Sequence, residues 1–199
     1  MSRKDFEIAK SCLDKSQVIA FPTETVMGLG VYYNDFEAYN LLNKIKCRPE
    51  EKPYTLMLSS KEEISKYAFL DDRSIKVIER FMPGEITVLL KSKDTVPSYV
   101  THNTGVIGIR VPNLKELLKF LSYIKTPLLV PSANKSGEKP AMNSDEVKHI
   151  FNDEVTFVFE GFAKGGIPST LVDLTVKDIK IYREGNIKLQ DIEKAIKEE

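Results

Sequence analysis

An apolar run at residues 18–21 stops abruptly at Pro22-Thr23-Glu24-Thr25, and this break constrains the fold more than any other feature of the chain. Runs without polar alternation are typical of strands that are buried on both faces in α/β proteins. Polar groups that follow such a strand lie at the edge of the sheet, where open α/β folds place their ligands. The sequence therefore predicts an α/β fold with a ligand site at this turn.

Apolar runs and amphipathic stretches alternate along most of the chain. The runs predict strands at residues 17–21, 54–58, 86–90, 106–111, 128–130, 155–159, 170–174 and 179–182. Helical spacing predicts helices at residues 2–15, 34–48, 75–81, 114–123, 145–151 and 189–196. The pairs Ser2/Asp5 and Ser60/Glu63 predict capping boxes, and Asn34 with Glu37 marks the start of the second helix. The last three strands have no convincing helices between them, so we expect some antiparallel pairing there and a mixed sheet. We assign residues 1–199 to a single domain.

Composition excludes several classes of partner. Lysine plus arginine and aspartate plus glutamate both number 29, so any anion site must be local, and no global field attracts nucleic acid or a membrane. Two cysteines without CxxC spacing indicate a reducing compartment, and the sequence shows no metal-ligand spacing. Because an apolar leader and long apolar runs are absent, we expect a soluble, cytoplasmic protein with no membrane partner.

Two cations follow the second predicted helix. Proline at position 49 disfavours helix at Arg48, so an extended chain would allow Lys46 and Arg48 to point the same way. Such a pair suits an anion. Alternatively, the two side chains only complement the dipole at the end of the helix.

Three later segments carry polar groups that a plain connector does not need. Arg110 ends an apolar strand, where burial requires an anionic partner, either a ligand or a structural carboxylate. Ser132 and Asn134 follow another apolar strand and either contact a ligand or cap a turn. Ser169 follows the flexible Gly165-Gly166 pair by three residues, and Arg183 lies two residues before a turn glycine, with a solvated surface as the alternative for Arg183.

These motifs follow one another in the order of a known family. The ordered set comprises Pro22-Thr23-Glu24-Thr25, Lys46-x-Arg48, Lys52-Pro53, Pro83-Gly84 with Thr87, Gly108-Ile109-Arg110-Val111-Pro112, Ser132-Ala133-Asn134, Ser169-Thr170 and Arg183-Glu184-Gly185. In this set the chain resembles the YrdC/Sua5 family of threonylcarbamoyl-adenylate synthases. The resemblance implies a twisted mixed sheet flanked by helices around a deep, positive cavity. It also implies a reaction in which L-threonine, bicarbonate and ATP give threonylcarbamoyl-AMP and pyrophosphate, for the N6-threonylcarbamoyladenosine modification at position 37 of tRNA.

The same resemblance implies roles for individual residues. Lys46 and Arg48 would hold the ATP phosphates as the catalytic cations, and the other nucleotide-binding residues would be Lys52, Ser132, Asn134 and Arg183. The threonine end would be lined by Thr23, Arg110 and Ser169. Mg²⁺ is expected with the triphosphate, bound mainly by phosphate oxygens and water. The chemistry needs cations and orientation rather than a covalent nucleophile.

Two features depart from the family pattern. Met27 stands where the family usually has an aromatic residue, and a thioether fills that space without a phenolic donor. The chain also ends soon after the Arg183 motif and so resembles the short, single-domain form. Its product is expected to pass to separate threonylcarbamoyl transferase proteins.

Other functions stay open at the level of sequence. One is the binding of tRNA or double-stranded RNA on a cationic surface without chemistry, which the neutral overall charge disfavours. Another is a paralogue resembling YciO with little synthase activity, although the intact Pro22-Thr23-Glu24-Thr25 turn favours the synthase. Hydrogenase-maturation carbamoyl transferases contain a similar domain, but their zinc-finger cysteines are missing from this sequence.

Overall fold

Nine strands form one sheet in the computed structural model, which describes residues 1–47 and 54–198. The strands are β1 Ile19–Pro22, β2 Met27–Tyr32, β3 Thr55–Met57, β4 Ile86–Lys91, β5 Val106–Arg110, β6 Leu128–Leu129, β7 Phe157–Val158, β8 Thr170–Asp173 and β9 Lys180–Arg183. Their order across the sheet is β7-β1-β2-β6-β3-β5-β4-β8-β9. The pairs β1/β7, β3/β5 and β4/β8 are parallel, whereas the other neighbours are antiparallel. The predicted mixed sheet is confirmed, and its antiparallel pairs extend well beyond the last third of the chain.

Helices cover both faces of this sheet. Within the described residues they are α1 Arg3–Leu13, α2 Phe36–Lys46, α3 Asp72–Phe81, α4 Ser98–Thr101, α5 Lys115–Ile124, α6 Ser144–Phe151 and α7 Leu189–Lys197, with 3₁₀ turns at Lys61–Lys66 and Asn152–Glu154. None of the helices in the described ranges is long and apolar enough to cross a lipid bilayer.

Alternating side chains of β1 divide the core into two layers. Ile19 and Phe21 join the apolar cluster beneath α1 and α5, whereas Ala20 joins the larger cluster on the opposite face. This is the side-chain period of a strand that is buried on both sides. Aromatic packing joins α1 to α5, because the rings of Phe6 and Phe120 lie 5.2 Å apart. The sheet is thereby held between helices, and its edge at the turn after β1 remains available for a site.

Strand β2 was missing from the sequence prediction. It pairs with β1 in a tight hairpin that places Phe21 opposite Gly28. A β-carbon at Gly30 would lie 2.6 Å from Cε1 of Phe21, and one at Gly28 would lie 2.9 Å from Cγ1 of Val130. The glycines that weaken the strand pattern are therefore required by close packing on both sides of β2.

Helix capping agrees with the sequence at one end of the chain and differs at two other places. The predicted box of Ser2 and Asp5 is present at the start of α1. Helix α2 is capped one residue later than expected, by the side chain of Asp35. The box predicted at Ser60 is wrong, because Ser60 makes no capping hydrogen bond and precedes only a 3₁₀ turn.

Candidate active site

A cavity of about 360 Å³ opens where the turn after β1, the end of β5 and the loop after β6 meet. It is lined by seven of the nine predicted site residues, namely Thr23, Lys46, Arg110, Ser132, Asn134, Ser169 and Arg183. The other two, Arg48 and Lys52, lie outside the described residues, as does the predicted extended geometry at Arg48. The sheet thus brings together predicted residues from six separate segments of the chain.

The Thr23 hydroxyl organises the turn after β1. It donates to the carbonyl of Val26 at 2.7 Å and accepts from the backbone N–H groups of Thr25 and Val26 at 3.1 and 3.2 Å. Its proton is therefore used within the turn, and Thr23 offers the cavity mainly its shape. The turn is supported from behind, where the N–H of Gly166 donates to the carbonyl of Thr25 at 2.8 Å.

Arg110 lies on the same wall at the end of β5 and is only 6% exposed. Its Nη2 donates to Oε1 of Glu24 at 2.8 Å and to the hydroxyl of Thr25 at 3.1 Å. The same Glu24 oxygen accepts from the backbone N–H of Asn113 at 2.9 Å. Of the two anionic partners that the sequence allows for Arg110, the structure shows the structural carboxylate. Glu24, in the turn after β1, supplies it.

Ser169 and Arg183 form a second polar group on this wall. Arg183 donates from Nε to the Ser169 carbonyl at 2.8 Å and from Nη2 to the Ser169 hydroxyl at 3.1 Å. The hydroxyl also shares a hydrogen bond with Thr87 at 2.9 Å. A β-carbon at Gly185 would lie 2.5 Å from the Pro168 carbonyl, so glycine allows the chain after β9 to approach β8 closely.

Arg183 has no ion-pair partner within the described part of the chain. Although the residue as a whole is exposed, its guanidinium borders the cavity. Partial burial and then the nearby charge of Arg110 lower the pKa of Arg183 below its ordinary value. An anion placed between the two guanidiniums would relieve this repulsion.

Lys46 forms the opposite wall. It is the last residue of α2, which ends where Cys47 adopts a left-handed conformation with φ 50°. The Lys46 side chain is 2% exposed, and its Nζ donates to the carbonyls of Ser132 and Asn134 at 2.6 and 2.7 Å. The ammonium is thus held against the 131–137 loop by backbone dipoles, and no acidic side chain occurs among the described cavity-lining residues.

The loop after β6 is held together by its own side chains. The hydroxyl of Ser132 donates to Oδ1 of Asn134 at 2.5 Å, and the amide of Asn134 donates to the carbonyls of Lys135 and Glu138 at 2.7 and 3.1 Å. Both residues therefore cap a turn, as one sequence interpretation proposed, and both also border the cavity.

Several lining residues were not predicted as site residues. Met27 and Tyr54 line the cavity, as do the apolar side chains of Met57, Val130 and Leu171. Their signal in the sequence was the same apolar alternation that predicts any core position. Met27 is fully buried in β2, so its thioether is packed as part of the core.

The charged side chains among the described lining residues are all cationic. They are Lys46, Arg110 and Arg183, and Arg110 is paired with Glu24. The described part of the chain contains no group of three or more histidine, cysteine or acidic side chains suited to holding a metal. The three lining cations suit a polar, anionic ligand.

Comparisons with known proteins agree with the geometry. A family model described as Telomere recombination, covering Sua5, YciO and YrdC, matches residues 11–185. The chain is 30% identical over 96% of its length to a threonylcarbamoyl-AMP synthase of Pyrococcus abyssi. It is 31% identical, again over 96% of its length, to a putative threonylcarbamoyl-AMP synthase of Methanocaldococcus jannaschii. It spans 57% of the Pyrococcus relative and 90% of the Methanocaldococcus relative.

Two solved structures have the same fold. The crystal structure of P. abyssi Sua5 complexed with L-threonine superposes with a TM-score of 0.93 at 29% identity, over 99% of this chain and 58% of that one. The structure of E. coli YciO gives 0.89 at 26% identity, over 96% of this chain and 94% of that one. Since the family model covers residues 11–185 of 199, this chain belongs to the Sua5/YciO/YrdC family.

Proposed function

We propose that this protein is a threonylcarbamoyl-AMP synthase, a nucleotidyltransferase that uses L-threonine, bicarbonate and ATP. The observation that carries the proposal is the convergence of three cations with hydroxyl and amide side chains on one cavity of about 360 Å³. That cavity lies within the size range of small-molecule sites. The threonine-bound relative, P. abyssi Sua5, supports threonine as one substrate.

The chemistry explains why cations are needed. The threonine amine attacks the carbon of bicarbonate, water leaves, and a carbamate forms. A carbamate oxygen then attacks the α-phosphorus of ATP, and the bond to the β-phosphate oxygen breaks to release pyrophosphate. Since this step brings a carboxylate-like nucleophile to a triphosphate, positive groups must offset the repulsion and stabilise charge on the phosphoryl oxygens.

Residues on the Lys46 side of the cavity would bind the nucleotide. In this proposal Lys46 and Arg48 contact the phosphates, and the site also uses Lys52, Ser132 and Asn134. Arg183 would contact the nucleotide from the wall that carries Ser169. The internal hydrogen bonds of the 131–137 loop support a rigid wall there, which lowers the cost of ordering this loop when the nucleotide binds.

Residues on the other side would bind threonine. In this proposal Arg110 attracts its carboxylate, while Ser169 contributes a polar wall and Thr23 shapes the pocket. Burial of Arg110 to 6% exposure strengthens its interaction with an anion relative to a surface arginine.

ATP would be the substrate, and Mg²⁺ would bind together with its triphosphate. Because the described residues offer no cluster of carboxylates for it, the ion would be held by phosphate oxygens and water. When bound, it supplies charge neutralisation to the phosphates. The threonylcarbamoyl-AMP would then pass to a separate threonylcarbamoyl transferase that modifies adenosine 37 of tRNA.

Pyrophosphate release tests the proposal. Purified protein is incubated with ATP and Mg²⁺, with threonine and bicarbonate omitted singly and together. We expect release only when both are present. Pyrophosphate release that does not depend on threonine, or no release from folded protein, would refute the proposed synthase activity.

A YciO-like protein with little synthase activity is the second candidate. The observation that favours it is the similarity to E. coli YciO over 94% of that chain with a TM-score of 0.89. Folded protein that binds ATP but gives no threonine-dependent pyrophosphate would support this candidate.

A further inference from the structure

We infer that Glu24 is a positioning residue for threonine, acting through Arg110. Its carboxylate fixes the guanidinium so that donors of Arg110 remain for the substrate carboxylate, and it offsets part of the charge of Arg110 at that end of the cavity. The inference rests on the proposed function for the identity of the substrate.

The Glu24–Arg110 pair is one-sided. A single carboxylate oxygen, Oε1, accepts both from Nη2 of Arg110 at 2.8 Å and from the backbone N–H of Asn113 at 2.9 Å. An arginine and a carboxylate that serve stability alone favour the forked arrangement, with two parallel hydrogen bonds. Here the fork is not completed, so Arg110 keeps donors that Glu24 does not use.

The unused atoms are buried. Nε of Arg110 and Oε2 of Glu24 have no hydrogen-bond partner within the described residues, and the two side chains are 7% and 13% exposed. Leaving charged groups buried and incompletely bonded costs free energy, so native structures rarely keep such atoms without a reason. A substrate carboxylate reaching Arg110 would supply the missing acceptor.

Glu24 itself is held away from the substrate. It is not among the described residues that line the cavity, whereas Thr23, Thr25 and Arg110 are. Behind the turn, a β-carbon at Gly165 would lie 2.8 Å from the carbonyl oxygen of Glu24. The Glu24 backbone is therefore closely packed, and its carboxylate is held by Arg110 and the N–H of Asn113, so it would affect binding through Arg110.

The negative charge of Glu24 beside Arg110 should also affect which ligand binds at this end of the cavity. Threonine is a zwitterion without net charge, whereas ATP and pyrophosphate are polyanions. Compared with an unpaired arginine, the Glu24–Arg110 pair presents oriented donors with less excess positive charge, so it suits the amino acid better than a phosphate chain. Removal of the carboxylate charge should therefore make pyrophosphate compete with threonine.

Steady-state kinetics of Glu24→Gln test the inference. We expect the KM for threonine to rise about 10- to 100-fold, the range expected for losing a charge-assisted contact, while the KM for ATP changes less than about twofold. Pyrophosphate should inhibit the variant more strongly and competitively with threonine. Glu116→Gln, which removes an exposed ion pair with Lys119 on α5, is the matched control and should change neither KM.

A double-mutant cycle separates positioning from general disruption. If Glu24 acts through Arg110, Glu24→Gln adds less than about a twofold loss when Arg110 is already Met. Full additivity, or an equal rise in both KM values, would overturn the inference. Should Glu24→Gln fail to fold, Glu24→Asp keeps the charge and must show a smaller rise in the threonine KM than Arg110→Met.

A threonine-binding assay tests the role of Glu24 even if the protein is not a synthase. If folded wild-type protein releases no pyrophosphate, calorimetric titration with L-threonine replaces the kinetic assay. Binding that Glu24→Gln weakens at least about tenfold would uphold the inference without the synthase. Equal binding by both proteins, or no binding by either, would overturn it.

Discussion

Replacing Lys46 by methionine should abolish most of the turnover while the protein stays folded. Lys46 is 2% exposed, and its ammonium donates to the carbonyls of Ser132 and Asn134 at 2.6 and 2.7 Å. Methionine has a similar length and fills the space without the charge. The change therefore removes one fixed cation from the cavity and leaves its apolar packing nearly intact.

The magnitude follows from the loss of a preorganised charge. At about 4 Å from a phosphate oxygen, and with an effective dielectric constant of about 20, a unit charge contributes about 4 kcal/mol. Measured losses of single stabilising donors are about 10²- to 10³-fold in kcat, and we expect a loss in this range. Two carbonyls also lose a donor, so the free energy of unfolding should fall by about 1–3 kcal/mol.

Lys135→Met is the matched control. Lys135 lies next to Asn134, donates to the carbonyl of Ile45 at 2.6 Å and pairs with Glu154, but it does not line the cavity. It should lose stability with little change in kcat. Pyrophosphate release per folded molecule is the assay for both variants. Turnover of Lys46→Met within about threefold of wild type would refute the role of Lys46.

Three further predictions test other parts of the structure. Arg183→Lys keeps the charge but loses the two-pronged donation to Ser169, so the KM for ATP should rise about tenfold; an unchanged KM would contradict this. Gly30→Ala places a β-carbon 2.6 Å from a ring carbon, compared with 3.3 Å for the nearest atom in Gly108→Ala. Chemical denaturation should therefore show a loss of about 1–3 kcal/mol for Gly30→Ala and a smaller loss for Gly108→Ala; equal losses would be inconsistent with this packing. Burial raises the pKa of the Cys12 thiol, while Cys47 is exposed. Since a raised pKa leaves less thiolate at a given pH, an aromatic disulfide reagent at pH 8 should react quickly with one thiol and with the second only after unfolding. Rapid reaction of both thiols in the folded protein would contradict the burial of Cys12.

The elements that sequence predicted well have strong local signals. The apolar run before Pro22 became β1, and the Ser2/Asp5 box starts α1 as expected. In both cases the pattern lies within a few residues and needs no distant partner. Strand β2 was missed because Gly28 and Gly30 lower strand propensity, and only the packed side chains of neighbouring strands explain them.

Site residues could be predicted individually, but their contacts could not. A lone arginine at the end of an apolar strand required an anionic partner, yet the partner Glu24 lies 86 residues away in the chain. Likewise, the left-handed residue after α2 positions Lys46, and its acceptors are 86 and 88 residues further along. Such contacts depend on strand order, which the local patterns of one sequence do not specify.

The most direct test of the account is the fate of the bicarbonate carbon. Protein incubated with ATP, Mg²⁺, L-threonine and ¹³C-bicarbonate should form threonylcarbamoyl-AMP whose mass is one unit higher than with ordinary bicarbonate, in an amount equal to the pyrophosphate released. An AMP product without the label, or pyrophosphate without any threonine adduct, would contradict the proposed reaction.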